Sequence, residues 1–391
     1  MRVLHVAASL SSQWGGPTAV IAGLTAGLVQ RGVEVTIFAP GKQETQDKIV
    51  RPGDAEVRLF KQGSLSRIWT AYSSDLARSL HREASQFELI HVHEIWHHPH
   101  FAACMAARRA NKPYIVTIHG ALDPWCLNHK ALRKRIYAMS LQRRILRAAA
   151  ALQALTQEEA KHIRTFGVDN HIRVIPNGID SQEFQMLPSR EAFEELSPEL
   201  RGKKVLLFLG RLHPIKGLDI LAKAFGKITM GREDVHLVIA GPDSEGHQTQ
   251  VERELASEGV LSKTTFTGML AGSQRLAALS RADIFLLPSY SEGFSMALLE
   301  AMICGLPVVI TRQSCFPEVA EAKAGIVIES DPDQLAEALI SLLDDPQLRK
   351  KMGANGHRLA MERFTWDKVA DQMVQLYEDV LKGKQGSEYG W

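Results

Sequence analysis

Short apolar runs alternate along the first half of the chain with longer segments whose apolar residues recur at helical spacing. The runs predict strands at residues 3–8, 33–39, 89–92, 114–118, 151–154 and 173–175, with helices such as 18–30 and 101–110 between them. Alternation of this kind is typical of a parallel sheet that has right-handed crossovers and helices on both faces.

The pattern is interrupted once and then restarts. Residues 176–204 are polar and open with the turn Pro176-Asn177-Gly178. Further strands are predicted at residues 205–209, 236–240, 264–267, 284–287, 308–311 and 325–328, and a last amphipathic helix at 367–381. We therefore predict an α/β fold of two doubly wound domains, residues 1–180 and 181–365, followed by a C-terminal segment, 366–391. Ligands of such sheets bind at the carboxyl ends of the strands, which predicts an active site in the cleft between the domains.

Composition narrows the class of protein. A chain of 391 residues exceeds what one core usually supports, and 45% hydrophobic with 23% charged residues is typical of a globular enzyme. The chain shows no apolar run of 18 residues, no secretory signal pattern, and no metal or redox spacing among its four cysteines, so we expect a cytoplasmic protein with free thiols. Residues 1–180 carry a net charge of +9 and residues 181–391 carry −7. This asymmetry favours an anionic partner for the first half, and chance distribution is the alternative.

Two cations follow the first strand of the second domain. In the segment VLLFLGRLHPIKG, Arg211 lies at the end of the predicted strand, and Lys216-Gly217 opens the next helix. Cations beside a helix N-terminus favour a diphosphate, although the Walker spacing is missing. The alternative is that both are ordinary surface charges.

Two glutamates follow a later strand, in the stretch SEGFSMALLE. Glu292 precedes Gly293 at the mouth of the strand, and Glu300 lies among apolar residues of the following helix. A carboxylate in such surroundings needs hydrogen-bond donors, which the hydroxyls of a ribose can supply. Protein donors would satisfy it equally well.

The ordered set of these motifs resembles the retaining glycosyltransferases of family 4. The set comprises the early WGGP loop, GRLHPIKG, and Glu292 and Glu300 with seven residues between them. The resemblance implies the GT-B fold, in which two Rossmann-like domains face each other and the second mainly holds a nucleotide sugar. It also implies that the C-terminal helix crosses back to the first domain.

The resemblance assigns roles to individual residues. Arg211 and Lys216 would bind the donor diphosphate, Glu300 the ribose hydroxyls, and His119 and Glu292 the transferred sugar. The backbone of three further groups would contact the donor, namely Gly15 and Gly16, then Gly268, Met269 and Leu270, and then Gly293, Phe294 and Ser295. We expect catalysis to depend on His119, Arg211, Lys216 and Glu292.

No metal cofactor is expected. The chain has no Asp-x-Asp motif, and fixed cations can stabilise a leaving diphosphate. The stretch HVHEIWHHPH matches His-Glu-x-x-His, but His93 directly follows a strand and Pro99 is expected to truncate any helix, so both histidines cannot share a helical face. We predict instead that His93 and Glu94 line the acceptor side of the cleft.

A basic segment favours a membrane surface. Residues 129–150 hold seven Lys or Arg and no acid, and they include Arg133, Lys134, Arg143 and Arg144. A surface helix packed on its own domain is the alternative. The preceding HGALDPWCLNHK resembles transferases of bacterial surface polysaccharides, which implies a polyprenyl-diphosphate-linked sugar as acceptor and a peripheral location at the inner leaflet. Nucleic acid is not an expected partner, because the basic segment has no recognised nucleic-acid-binding module and no series of stacking aromatics.

The resemblance implies a retaining glycosyltransferase that moves a hexose from a nucleoside-diphosphate sugar, UDP-hexose being the preferred donor, to a glycan or lipid-linked acceptor, and the missing Asp-x-Asp motif adds the prediction that it needs no metal. The alternatives are a GT-B nucleotide-sugar 2-epimerase and a nucleotide-sugar-binding module without catalysis.

Overall fold

The computed structural model describes residues 1–11, 16–41, 53–128, 141–243 and 245–383. The chain divides into two compact units. Unit 1 comprises Met1–Gly178 and Trp366–Trp391, and unit 2 comprises Ile179–Thr365. Unit 1 is therefore assembled from two stretches of chain, and unit 2 from one.

The strands lie close to the predicted positions. In chain order they are β1 (Arg2–Val6), β2 (Glu34–Pro40), β3 (Glu56–Phe60), β4 (Leu89–His93), β5 (Tyr114–Thr117), β6 (Ala151–Ala154), β7 (Ile172–Val174), β8 (Lys204–Leu209), β9 (Val235–Ala240), β10 (Thr264–Gly268), β11 (Ile284–Leu287), β12 (Val308–Thr311) and β13 (Gly325–Ile328).

The helices fill most of the segments between these strands. They are α1 (Gly16–Gln30), α2 (Ser74–Glu83), α3 (His98–Arg109), α4 (Pro124–Asn128), α5 (Arg143–Arg147), α6 (Gln157–Thr165), α7 (Arg190–Leu196), α8 (Leu218–Thr229), α9 (Gln248–Ser257), α10 (Gly272–Arg281), α11 (Met296–Ile303), α12 (Glu318–Glu321), α13 (Pro332–Asp344), α14 (Pro346–Arg363) and α15 (Trp366–Gly383).

The described part of unit 1 contains one parallel sheet with the strand order β3-β2-β1-β4-β5-β6-β7. Val3 of β1 pairs with Val35 of β2 on one side and with Leu89 of β4 on the other. The strand order reverses between β1 and β4, so the switch point of this sheet lies between these two strands. Ligands of doubly wound sheets bind at the carboxyl edge of the switch point.

Unit 2 repeats this plan, and its described residues form a parallel sheet with the order β10-β9-β8-β11-β12-β13. Its switch point lies between β8 and β11, where Leu206 pairs with Ile284. Both strands are buried on both faces, because helices such as α8 and α10 cover the sheet and complete its hydrophobic cores.

Two elements differ from the predicted pattern. The edge strand β3 has the sequence EVRLF, whose residues are half-buried or exposed, so it lacks the continuous apolar run of the central strands. The polar stretch 176–204 was predicted only as an interruption between the two alternating regions, but it contains α7, whose Phe193 is 2% exposed in the core of unit 2.

Helix α15 packs against α1 within unit 1. A Cβ atom at Gly23 of α1 would lie 2.1 Å from Nε1 of Trp366, and one at Gly178 would lie 2.6 Å from Cε3 of the same indole. Arg31, which follows α1, donates from Nε to Oδ1 of Asp371 at 2.6 Å. The C-terminal helix is therefore an integral layer of unit 1, since only glycines leave room for the Trp366 ring.

Candidate active site

The loop after β8 places two cations at the switch point of unit 2. Arg211 is exposed, and no described residue accepts a hydrogen bond from its guanidinium. Lys216 ends a 3-10 turn, Pro214–Lys216, which begins when Nδ1 of His213 accepts a hydrogen bond from the Ile215 amide at 3.1 Å. The turn ends at Gly217, which has a φ of 65°.

Gly217 is needed for two separate reasons. Its positive φ is strained for residues with a side chain. In addition, a Cβ atom at this position would lie 1.9 Å from the carbonyl oxygen of Pro288, the residue that follows β11. The glycine therefore lets the loops after the neighbouring strands β8 and β11 approach each other.

The close approach brings Lys216 and Glu292 together. Nζ of Lys216 lies 2.5 Å from Oε2 of Glu292, and the two side chains are 13% and 11% exposed. The Ser289 hydroxyl also donates to this oxygen, at 3.3 Å. The predicted diphosphate-binding cation and the predicted sugar-facing acid therefore form an ion pair in the structure.

Tyr290 links the same two loops by hydrogen bonds. Its amide donates to the Ile215 carbonyl at 2.8 Å, and its hydroxyl donates to Oδ2 of Asp219 at 2.7 Å. Burial, helped by the hydrogen bond to Asp219, raises the pKa of Tyr290 to about 12. The backbone around Lys216 and Glu292 is thus held from both sides.

Glu300 lies inside α11, as predicted. The helix begins after Ser295, whose hydroxyl accepts the Leu298 amide hydrogen and so caps the N-terminus. Glu300 is 8% exposed, and burial raises the pKa of its carboxyl to about 7, although the nearby charge of Arg275 opposes this shift. Oε1 accepts a hydrogen bond from Arg275, while Oε2 is buried without a partner among the described residues.

Arg275 was not predicted from the sequence, yet it contacts the candidate nucleotide-binding acid Glu300 in unit 2. From α10 it contacts Glu300 with Nη1, and its Nη2 lies 2.5 Å from Oε1 of Glu183. The guanidinium carbon also lies 5.9 Å from the centre of the Phe184 ring. Arg275 therefore orients one oxygen of Glu300 and leaves the other for a donor from outside the protein.

The predicted backbone contacts occupy the loops around this cluster. Gly268 ends β10 with a φ of 67°, followed by Met269, which is 62% exposed, and by the half-buried Leu270. Gly293 is half-buried at the mouth of β11, and the Phe294 ring packs 5.3 Å from that of Phe316. All of these residues lie at the carboxyl edge of the sheet, as a ligand site requires.

Unit 1 has a different cluster at its own switch point. His119 follows β5 with a φ of 54°, and Glu94 follows β4 with a φ of 63°. Left-handed backbone is uncommon for residues with side chains and concentrates at functional sites. Gly16 is exposed at the first position of α1, whereas Gly15 lies outside the described residues.

His119 is half-buried and lies at one end of a row of histidines whose other members are buried. Its Nε2 lies 3.4 Å from Nδ1 of His93, and Nε2 of His93 lies 2.9 Å from Nδ1 of His5. Burial lowers the pKa of His119 to about 4 and that of His5 to about 3. Burial also lowers the pKa of His93 well below its ordinary value.

The predicted acceptor contact of His93 is not supported. The residue is 2% exposed, and its ring nitrogens bond to the two neighbouring histidines. Glu94 is half-buried at the strand end, and burial raises the pKa of its carboxyl to about 7. Glu94 thus keeps the exposure that its predicted acceptor role needs, whereas His93 supports His119 from within the sheet.

Helix α15 and the central strands complete this row. Nδ1 of His91 lies 2.6 Å from the Tyr377 hydroxyl, and its Nε2 lies 2.7 Å from Oγ1 of Thr117. Oγ1 of Thr117 donates to Oε1 of Gln153 at 2.6 Å. The signal for these residues in the sequence was a polar side chain within an apolar strand, as in VLHVA around His5 and LIHVH around His91.

Glu159 holds the turn at His119 from the other side. Its carboxylate accepts hydrogen bonds from the amides of Gly120 and Leu155, each at 2.5 Å. Burial raises the pKa of Glu159 to about 7 despite these bonds. The residue stands three positions after the α6 N-cap, Thr156, so in the sequence it cannot be distinguished from an ordinary capping residue.

The histidines also raise the question of a metal site. One ring nitrogen from each of His5, His91 and His93 lies within 4.8 Å of the other two. The predicted weak candidate, His93 with His97, is split between β4 and the residue before α3. Pro99 does not truncate a helix, as was expected, but lies in the first turn of α3, where proline is well tolerated. The ring nitrogens of the three histidines are already engaged in hydrogen bonds, which a bound ion would have to break.

The basic segment is described only in part. Arg133 and Lys134 lie outside the described residues, and Arg144 is exposed on α5. The guanidinium carbon of Arg143 lies 5.1 Å from the centre of the Phe166 ring. Arg143 therefore packs on its own unit, which limits its availability for lipid. Among the described helices, none combines the length and apolar character needed to span a membrane.

Comparison with known proteins identifies the family to which the chain belongs. The family model of group 1 glycosyl transferases matches residues 189–359, and that of a glycosyl transferase 4-like domain matches residues 15–178. The chain therefore belongs to the group 1 glycosyltransferases with a family 4-like first domain. It is a glycosyltransferase of the GT-B type, as the resemblance in its motifs predicted.

Individual relatives agree with this assignment. A D-inositol 3-phosphate glycosyltransferase of Xylanimonas cellulosilytica is 29% identical over 94% of this chain and 92% of its own. A phosphatidyl-myo-inositol mannosyltransferase of Mycobacterium leprae is 28% identical over 90% of this chain and 89% of its own. The crystal structure of HepE from Anabaena in complex with UDP-glucose superposes with a TM-score of 0.76 at 20% identity, covering 97% of this chain and all of that one, which confirms the predicted fold.

Proposed function

We propose that the protein transfers a hexose from UDP-hexose, with retention of configuration, to a glycan or lipid-linked sugar acceptor. One observation carries the proposal. At the switch point of unit 2, Lys216 and Glu292 lie 2.5 Å apart. Arg211, in the same loop after β8 as Lys216, is exposed, and no described residue accepts a hydrogen bond from it. Cations at this edge suit a diphosphate, and an acid among them suits the hydroxyls of a sugar.

The chemistry follows from the charges. Transfer leaves a nucleoside diphosphate, whose developing negative charge is stabilised by Arg211 and Lys216. Lys216 carries three donors, so one can remain on Glu292 while others bind the diphosphate. Glu292 is then held by two partners, Lys216 and Ser289, and its other oxygen can accept a sugar hydroxyl.

Glu300 supplies the nucleotide-binding part of the proposal. A 2′- or 3′-hydroxyl of ribose would donate to Oε2, the oxygen that has no partner among the described residues. An unsatisfied buried carboxylate oxygen is costly, so such a donor gains more here than it would at the surface. The choice of UDP rests on the bound ligand of the Anabaena neighbour, and that of a hexose on the family resemblance.

Transfer is proposed to need no metal ion, because two fixed cations occupy the diphosphate side of the cluster. Turnover measured after exhaustive EDTA treatment should remain unchanged. A loss of turnover that Mg²⁺ or Mn²⁺ restores would refute metal independence and leave the transferase assignment intact.

The acceptor is proposed to be presented at an anionic membrane surface. One relative is named for a phosphatidyl-myo-inositol acceptor, and the first half of this chain carries a net charge of +9. Flotation with phosphatidylglycerol vesicles tests this. Neutralising Arg133, Lys134 and Arg144 should abolish flotation, whereas neutralising Arg78, an exposed arginine of α2, should not. Equal flotation of all variants, or none by the wild type, would refute the membrane contact.

Release of UDP tests the function itself. A transferase releases UDP from UDP-glucose or UDP-galactose only slowly until an acceptor glycan is added, and the acceptor then gains one sugar by mass spectrometry. A 2-epimerase would release UDP and an altered sugar without any acceptor. A binding module would show ligand-induced stabilisation without release. Either of the last two results would overturn the proposal.

A further inference from the structure

A continuous hydrogen-bond chain inside unit 1 ends at His119. Its members come from the four central strands and from α15, and all are buried. They are Gln153, Thr117, His91, Tyr377, His5 and His93. Since each link needs one donor and one acceptor, the direction of the first link determines the direction of all the others.

The first link is set by a backbone carbonyl. Nε2 of Gln153 lies 2.9 Å from the Ile175 carbonyl oxygen, which can only accept, so this end of the amide must be the NH₂ group. Oε1 of Gln153 therefore faces Oγ1 of Thr117 at 2.6 Å and can only accept. The single hydroxyl hydrogen of Thr117 is thereby committed to Gln153.

His91 continues the chain in the same sense. Because the Thr117 hydrogen is committed, Nε2 of His91 must donate to Oγ1 of Thr117 at 2.7 Å. His91 is completely buried, and burial lowers the pKa of its ring well below the ordinary value, so the ring is neutral and Nδ1 is an acceptor. Nδ1 of His91 then takes the hydroxyl hydrogen of Tyr377 at 2.6 Å.

The remaining links lead to the edge of the sheet. With the Tyr377 hydrogen committed, Nε2 of His5 must donate to the Tyr377 oxygen at 3.3 Å, so Nδ1 of His5 accepts. Nε2 of His93 donates to this nitrogen at 2.9 Å, and Nδ1 of His93 accepts from Nε2 of His119 at 3.4 Å. Every buried ring nitrogen along the row has one role.

We propose that this one-way chain holds His119 as the neutral tautomer with its proton on Nε2, which leaves Nδ1 as a hydrogen-bond acceptor. Tyr377, Gln153 and the other members are positioning residues, because they act only through His119. The role of His119 toward the sugar rests on the proposed function, whereas its tautomer does not. If His119 meets the transferred sugar, it accepts a hydroxyl hydrogen and has no proton to donate from that nitrogen.

The same geometry argues against a metal at His5, His91 and His93. In the proposed tautomers the Nδ1 lone pair of each ring already accepts a hydrogen, from His93, Tyr377 and His119 respectively. A zinc ion would need about 2.0 Å to each ligating nitrogen and the loss of these bonds. Stoichiometric zinc in the purified protein by elemental analysis would overturn the proposal.

The test is a matched pair of tyrosine variants. Tyr377→Phe removes the hydroxyl that links His91 to His5. Tyr114→Phe is the control, because this residue is also buried in unit 1 and its hydroxyl donates only to the Ile145 carbonyl, at 2.6 Å. Ring ¹⁵N shifts of labelled histidine report which nitrogen carries the proton, and the His119→Asn spectrum identifies the His119 signals.

In the wild type we expect the His119 signals of a neutral ring protonated on Nε2. In Tyr377→Phe the His5 proton loses its acceptor, so the His119 signals should move toward a mixture of tautomers, with turnover lower by roughly two- to tenfold and UDP affinity unchanged. Tyr114→Phe should leave the signals and turnover as they are.

Besides stoichiometric zinc, three NMR outcomes would overturn the inference. These are a wild-type His119 protonated on Nδ1, unchanged His119 signals in Tyr377→Phe, and equal changes in both tyrosine variants. The first needs only the wild type and the His119→Asn spectrum that assigns its signals, so it decides the matter even if Tyr377→Phe does not fold. The NMR results hold whether or not glycosyl transfer is detected, so failure of the proposed function is recognised separately.

Discussion

The two switch points hold their polar side chains by opposite means. In unit 2, Lys216 and Glu292 are opposite charges that pair at 2.5 Å and keep 13% and 11% of their side-chain surface exposed. In unit 1, His5, His91 and His93 are neutral rings at most 2% exposed, ordered by hydrogen bonds. A charged cluster should respond to charge, pH and salt, whereas a neutral one should respond to the loss of a single hydrogen-bonding atom.

Removing a charge from unit 2 should have the largest effect on turnover. Lys216→Met deletes a cation proposed to stabilise the leaving diphosphate and leaves Glu292 without its ion-pair partner. Turnover should fall by roughly 100- to 1,000-fold, as when one preorganised donor is removed from an enzyme. Lys223→Met, at an exposed lysine of α8, should leave turnover unchanged. Similar turnover in both variants would contradict the role of Lys216.

In unit 1 the corresponding change is His119→Asn, which we expect to lower turnover by roughly 10- to 100-fold with little change in UDP affinity. Asparagine tolerates the φ of 54° at this position, whereas alanine adds a backbone cost of about 1–2 kcal/mol. His119→Ala should therefore also lower the melting temperature. Steady-state kinetics, UDP titration and thermal melts separate these effects, and a large loss of UDP affinity in His119→Asn would count against the assigned role.

UDP binding should depend on pH through Glu300, because burial raises the pKa of its carboxyl to about 7. The ionised form accepts ribose hydroxyls best, and its fraction rises as pH rises. UDP affinity should therefore increase about tenfold from pH 6 to pH 8, relative to Glu300→Gln, which cannot ionise. UDP affinity is measured by calorimetric titration of both proteins, and the ratio of the two affinities removes the contribution from the ionisation of UDP itself. Parallel pH profiles of the two proteins would show that Glu300 does not bind the nucleotide.

Glu300 also affects folding in this range. Its pKa is higher in the folded protein than in the unfolded chain, so the folded state binds more protons between about pH 4.5 and pH 7. The contribution of Glu300 to the free energy of unfolding is therefore fully present below that window and is lost as pH rises through 7. Glu300→Gln should flatten this part of the stability profile in chemical denaturation.

The smallest expected effect comes from Glu292→Gln. Losing the carboxylate frees the Lys216 ammonium from its ion pair, so UDP should bind about two- to fivefold more tightly while sugar transfer slows. UDP titration and turnover on the same preparation measure the two changes. Weaker UDP binding would show that Glu292 helps to place Lys216 instead of competing with the diphosphate.

The sequence was most informative where a pattern is continuous or local. Strands such as β11 and β12 are uninterrupted apolar runs because both faces are buried, so their bounds were predicted correctly. The edge strand β3 and the helix α7 lack such runs and were missed. Lys216 and Glu292 were selected because each follows a strand beside a glycine, and the parallel sheet brings the ends of β8 and β11 together.

Long-range partners could not be predicted in the same way. Arg275 meets Glu300 only because α10 and α11 lie near each other in the folded unit, and an arginine in a polar helix carries no signal of that contact. Tyr377 stands 286 residues from His91 and appeared to be one more apolar position of an amphipathic helix. A hydroxyl at such a position is visible in the sequence, but its partner is not.

The packing of the Trp366 ring against Gly23 and Gly178 affects the order in which the two units fold during synthesis on the ribosome. Unit 2, residues 179–365, emerges whole before α15 does, so its sheet can close while α1 still lacks its covering layer. His119 receives its full support only after synthesis has passed Tyr377. Nascent chains should therefore form the Lys216–Glu292 and Arg275–Glu300 contacts of unit 2 first and the ordered histidine row of unit 1 last.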